Sequence, residues 1–105
     1  MFCLEASNGR AQWSRNIVEE YRSKSPHNGI AGSPIIAGDM IILTVNTAGM
    51  ALNKRTGEKI WCSVKPPEEG CGYTSSGVDY SSPVVYEQGV KRFAVVSGYF
   101  GFRSV

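Results

Sequence analysis

Apolar residues along this chain fall in short runs rather than long helical stripes. Ile35-Ile36-Ala37, Met40 to Val45, Met50-Ala51-Leu52 and Ile60-Trp61 follow one another with only a few turn-forming residues between them. Apolar runs of about 4–8 residues bounded by Gly, Asn, Asp or Pro read as strands. Ser33-Pro34 opens the first, with proline where a missing N–H is tolerated. Gly38-Asp39 is a two-residue hairpin signal. The second run is almost continuously apolar, as in a strand covered on both faces, and Asn46–Gly49 turns into the third. The fourth strand falls near Lys59–Val64, so 30–64 reads as one unit of four antiparallel strands. After a polar stretch, Lys65–Asp79, the pattern restarts over 80–105. Tyr80–Tyr86 opens it, Glu87-Gln88-Gly89 is the hairpin, and Val90–Ser97 is the second strand. Gly98–Gly101 is the next turn, and Phe102 begins a third strand. The stretch 1–17 is the end of an earlier unit. Between the first two units, Asn16 caps a short helix around Ile17–Tyr21, with Glu19 as its capping-box partner and Ile17, Val18 and Tyr21 on one face. Ser23–Gly32 is polar, contains Pro26 and Gly29, and reads as loop.

The units repeat. Ala51-Leu52-Asn53-Lys54-Arg55-Thr56-Gly57-Glu58-Lys59-Ile60-Trp61 is a hairpin whose Gly57 supplies the positive φ of a tight reversal, and whose Asn53 bonds its own backbone. Cys3-Leu4-Glu5-Ala6-Ser7-Asn8-Gly9-Arg10-Ala11-Gln12-Trp13 carries Leu, Gly and Trp in the same register, 48 residues earlier. Ser-Pro recurs independently at 33–34 and 82–83, a spacing of 49. Self-similarity at periods of about 20–50 residues marks propellers and solenoids.

Ala51-x-Asn53-x-x-Thr56-Gly57-x-x-x-Trp61 resembles the tryptophan-docking motif of the quinoprotein (PQQ-type) β-propellers, whose blades carry Ala-x-Asp/Asn-x-x-Thr-Gly-x-x-x-Trp. The first copy keeps Gly9 and Trp13 and departs at Cys3, Glu5 and Asn8. The resemblance implies an all-β chain of four-stranded antiparallel β-propeller blades, a partial propeller of two blade lengths. Each Trp would pack against the neighbouring blade. The bland alternative is an ordinary β-hairpin whose Trp caps some other core. The family further implies a periplasmic or secreted bacterial protein. Because the chain opens inside a repeat unit, a piece of a longer protein is expected. Its partners would be further blades, from the parent chain, a partner chain or other copies. Three or four copies head to tail would close a ring of about 6–8 blades.

Composition changes this picture little. With 105 residues and 42% apolar content, the chain supports one domain at most. A net charge of +2 gives no argument for nucleic acid. No run of about 18 apolar residues exists to span a membrane. Met1-Phe2-Cys3-Leu4-Glu5 lacks the form of a signal peptide.

Candidate chemistry is sparse. Quinoprotein dehydrogenases use a vicinal Cys-Cys pair, a calcium cage of Glu, Asn and Asp, and an Asp base. This chain has no Cys-Cys pair, and its carboxylates show no cage-like spacing. No catalytic residue, metal or cofactor is therefore expected here, although a parent protein could still bind PQQ and calcium. Two functions stay open: a non-catalytic scaffold presenting loops to a protein or polysaccharide, and a segment of a PQQ-dependent dehydrogenase. Cys3, Cys62 and Cys71 are odd in number and lack metal spacing. A Cys62–Cys71 disulfide is permitted in an oxidising compartment, but the expectation is three free thiols. His27, the one histidine, sits in a polar loop and reads as exposed. The long connections Arg15–Gly32 and Lys65–Asp79 emerge on one side of such a unit, and long loops on a rigid sheet are where recognition concentrates. Arg22, His27, Glu68, Tyr73 and Asp79 are the candidate recognition residues.

Overall fold

The computed structural model describes residues 1–21, 31–44, 49–62, 81–98 and 101–104. Within them the chain is built of antiparallel strands and one short helix. Strands β1 (Phe2–Leu4) and β2 (Ala11–Ser14) form a two-stranded sheet. After helix α1 (Ile17–Glu20), strands β3 (Ile35–Ala37), β4 (Met40–Leu43), β5 (Met50–Asn53) and β6 (Lys59–Cys62) form a four-stranded sheet in sequence order. Strands β7 (Val84–Gln88), β8 (Lys91–Gly98) and β9 (Gly101–Ser104) form a three-stranded one.

Several details differ from the sequence reading. The hairpin expected at Glu87–Gly89 lies later: Gln88 pairs with Lys91, so Gly89 and Val90 make the turn. Glu87 belongs to the ladder, opposite Arg92, and the two side chains form an ion pair at 2.8 Å that holds them in the strand. At α1, Asn16 is the N-cap and accepts from the Glu19 N–H at 3.4 Å. The residue that reaches back to the Asn16 N–H is Glu20, at 3.2 Å, whereas Glu19 accepts from the Asn16 side-chain amide at 2.8 Å. Either pairing places negative charge at the positive end of the helix. Cys62 is disulfide-bonded, not a free thiol as expected, and its partner lies outside the described residues; Cys3 is free.

Strand alternation divides the four-stranded sheet into two apolar faces. Ile36, Ile41 and Leu52 stand opposite one another on one face; Ile35, Ile42, Ala51 and Trp61 do so on the other. The first face continues into Leu43 and Met50 and packs with Met1, Trp13, Ile17 and Tyr21 from the preceding segment. The second packs with Val85 and Ala94 of the three-stranded sheet. Ile41, Ile42 and Leu43 are all buried because consecutive residues of β4 serve opposite cores. Each fully buried aliphatic side chain here contributes on the order of 2 kcal/mol.

The openings of the second and third sheets also interlock. The Ser33 N–H donates to the Ser82 hydroxyl at 2.9 Å, and the Thr44 hydroxyl donates to the Ser81 carbonyl at 3.0 Å. Thr44 is the one buried polar residue among the described core, and this bond satisfies it. Gly32 lies against the same Ser81 carbonyl, where a Cβ would not fit. The two Ser-Pro elements thus meet in space. Among the described residues no helix is long and apolar enough to cross a membrane.

Candidate functional site

The most specific contact in the molecule joins the two repeat hairpins. In the β5–β6 hairpin, Asn53 organises the turn. Its side-chain oxygen accepts from the Arg55 N–H at 2.9 Å and the Thr56 N–H at 3.3 Å, while its carbonyl accepts from the Gly57 N–H at 2.8 Å. The Thr56 hydroxyl accepts from the Glu58 N–H at 3.3 Å. Gly57 sits at φ 73°, where a side chain is strained. The result is a flat platform of peptide with an outward carbonyl at Lys54.

Trp13 lies on that platform. Its indole N–H donates to the Lys54 carbonyl at 3.0 Å, across 41 residues of chain. The ring passes so close to Gly57 that a Cβ there would stand 2.6 Å from Trp13 Cε3. Glycine is therefore required twice at this position, for its dihedral angle and for the ring. Lys54 is fixed in turn by its neighbours: its N–H donates to the Asp39 carbonyl at 2.9 Å and its ammonium to the Gly38 carbonyl at 2.8 Å.

The N-terminal hairpin has the same backbone. Phe2 pairs with Ser14 and Leu4 with Ala11, with a bulge after Cys3; Met50 pairs with Cys62 and Leu52 with Lys59, with a bulge after Ala51. The Gly9 N–H donates to the Glu5 carbonyl at 2.7 Å, and Gly9 also has φ 73°. Asn8 accepts from the Arg10 N–H at 2.8 Å through its side-chain oxygen, as Thr56 does from Glu58. The departures from the motif thus preserve the turn. What differs is occupancy: nothing lies within 4 Å of where a Gly9 Cβ would point.

Trp61, the counterpart of Trp13, is half-buried against Ala37, Ile42 and Ala51. It borders a hollow of about 160 Å³ with Met40, Arg92 and Phe93. Among the described residues its indole N–H meets no acceptor. A larger cavity of about 290 Å³, lined by Met1, Asn16, Ile17, Val18, Gly32, Pro34 and Leu43, opens at the end of the sheets where the long connections attach. Its walls are mostly aliphatic and carry no ionisable side chain.

Of the residues singled out in the sequence, the structure brings together Trp13, Gly57, Asn53 and Thr56, with Ala51 buried beneath Trp61. Arg22, His27, Glu68, Tyr73 and Asp79 lie outside the described residues. Sequence reading missed Lys54 as the acceptor, since any residue supplies a carbonyl, and Ser82 as a partner of Ser33. The exact recurrence of Ser-Pro was the available signal for the latter. Among the described residues no three His, Cys, Asp or Glu side chains cluster to hold a metal ion. The one resolved pKa change is at Tyr21, raised above 10.0 by burial and then by the Glu20 charge, with Arg15 opposing.

Fold and contacts define an all-β chain of small antiparallel sheets packed face to face. The chain matches no protein-family model, no curated protein and no solved structure.

Proposed function

We propose that this chain is part of a non-catalytic β-propeller scaffold of the PQQ-like repeat type, which presents its long connections to a protein or carbohydrate partner. The observation that carries the reading is the seating of Trp13 over Gly57 with its N–H on the Lys54 carbonyl. That contact makes the motif an inter-sheet lock, the role that the resemblance assigns it. The sequential order β3-β4-β5-β6 and the packing of both sheet faces on neighbours support blades stacked about an axis. The 290 Å³ cavity lies on the side of the long connections, where Arg22, His27, Glu68, Tyr73 and Asp79 are the residues proposed to contact a ligand. The disulfide at Cys62 supports an oxidising compartment, periplasmic or secreted.

Adding PQQ and Ca²⁺ to the purified chain, desalting, and reading the quinone absorbance tests the alternative, a dehydrogenase segment. The scaffold reading expects no retained quinone; stoichiometric retention overturns it. Titration with soluble polysaccharides, compared between the wild-type chain and a Tyr73→Ala, Arg22→Ala variant, tests the recognition loops directly.

A further inference from the structure

The exposed apolar side chains follow a rule set by the repeat. Phe2 and Leu4 are 72% and 55% exposed, yet their counterparts Met50 and Leu52, 48 residues on, are fully buried against the preceding segment. Ile36 shares a face with Ile41 and Leu52 but lies beyond the cover that the short β1–β2 hairpin provides, and it is 68% exposed. On β7, Val85 packs toward the four-stranded sheet, so alternation turns Val84 and Tyr86 away from it, and both are exposed. Tyr86 stacks on Phe93 at 5.2 Å on that outer face. Two further features are half of a contact seen complete elsewhere. Gly9 offers the same φ 73° seat as Gly57 with nothing on it, and Trp61 has the ring and the free N–H that Trp13 uses.

We infer that these features are the two sides of one interface, and that its occupant is a second copy of this chain. The inference rests on the propeller reading above. The β1–β2 hairpin of the second copy completes the β7–β8 pair, its β1 taking along β8 the place that β9 holds. Trp61 of the first copy then seats over Gly9 of the second and donates to its Ala6 carbonyl, the counterpart of Lys54. Phe2 and Leu4 of the second copy pack on the Trp61 face as Met50 and Leu52 pack beside Trp13. Val84 and Tyr86 of the first copy meet Ile36 of the second. One arrangement covers five exposed apolar residues and pairs the unmatched indole. Because the two surfaces differ, the contact is heterologous and repeats from copy to copy until a ring closes.

Light scattering and chain mixing test this. The wild-type chain is expected as a closed oligomer at micromolar concentration. Leu4→Asp disables one surface and Val84→Asp the other, so each variant alone is expected to be a folded monomer. An equimolar mixture of the two retains one intact interface and is expected to give a particle of twice the monomer mass that grows no further. Phe2→Ser and Tyr86→Ser form a milder pair that answers the same question should an aspartate unfold the chain. A folded wild-type monomer overturns the inference, as does an oligomer insensitive to both variants or a mixture that stays monomeric. If instead Trp13→Ala leaves stability unchanged, the propeller reading itself has failed, and the two failures are told apart.

Discussion

The two Gly-and-Trp hairpins have nearly identical backbones and different surroundings. Gly9 and Gly57 share a dihedral angle, both hairpins bulge at the same step, and in both a side-chain oxygen one residue before the glycine accepts the following N–H. Yet Gly57 is buried under Trp13 and Gly9 faces open space. Local chemistry makes the seat; only a neighbouring sheet fills it. The difference separates the conformational cost of a position from its packing value, and substitutions in matched pairs can measure each.

The largest effect is expected from the tryptophans. Trp13→Ala removes a ring, a hydrogen bond and the lid on Gly57, and should cost about 3 kcal/mol, at the low end for a large aromatic because the ring is half-buried. For a domain of this size that lowers Tm by roughly 12–20 °C. Trp61→Ala loses packing on Ala51 and Ile42 but no hydrogen bond, and should cost about 2 kcal/mol in the monomer. Equal losses would erase the distinction between a seated and an unseated indole.

The glycines sharpen it. Gly9→Ala meets only the left-handed dihedral cost, roughly 1–2 kcal/mol. Gly57→Ala bears the same cost and also displaces the Trp13 ring, so it should lose at least about 1 kcal/mol more. Chemical denaturation of the two variants reads that excess, and its absence would mean that Trp13 does not rest on Gly57 in solution.

Smaller still is the lock between the second and third sheets. Ser82→Ala leaves the Ser33 N–H without its acceptor at an exposed site, and should cost about 1 kcal/mol. Hydrogen exchange at the Ser33 amide is the specific readout; unchanged exchange would discount the bond.

Least of all is the effect of alkali on Tyr21. Its folded pKa is raised, so the folded state holds the phenol proton more tightly than the unfolded chain does. That contribution is complete below pH 10 and is lost as pH rises through the raised value. Tyr21→Phe should flatten the decline in Tm in that range, relative to wild type.

The short apolar runs and their turn residues contained enough to place the strands from Ile35 to Cys62, because a two-residue turn such as Gly38-Asp39 leaves the flanking strands one register. Asn16 likewise announced α1. At Glu87 the local signal misled: a charged residue reads as turn in isolation, but pairing with Arg92 across the ladder makes it strand. The disulfide at Cys62 was not legible either, since cysteine spacing leaves pairing open and only proximity in space decides it.

By itself the sequence determined the repeat, the strand order and the shape of each hairpin, because dihedral preference and period-two alternation act over a few residues. The tertiary structure alone decided which Gly carries a ring, which carbonyl receives it and which apolar face is covered. Those depend on residues such as Trp13 and Lys54 that are 41 positions apart, and no local preference encodes a contact across that distance.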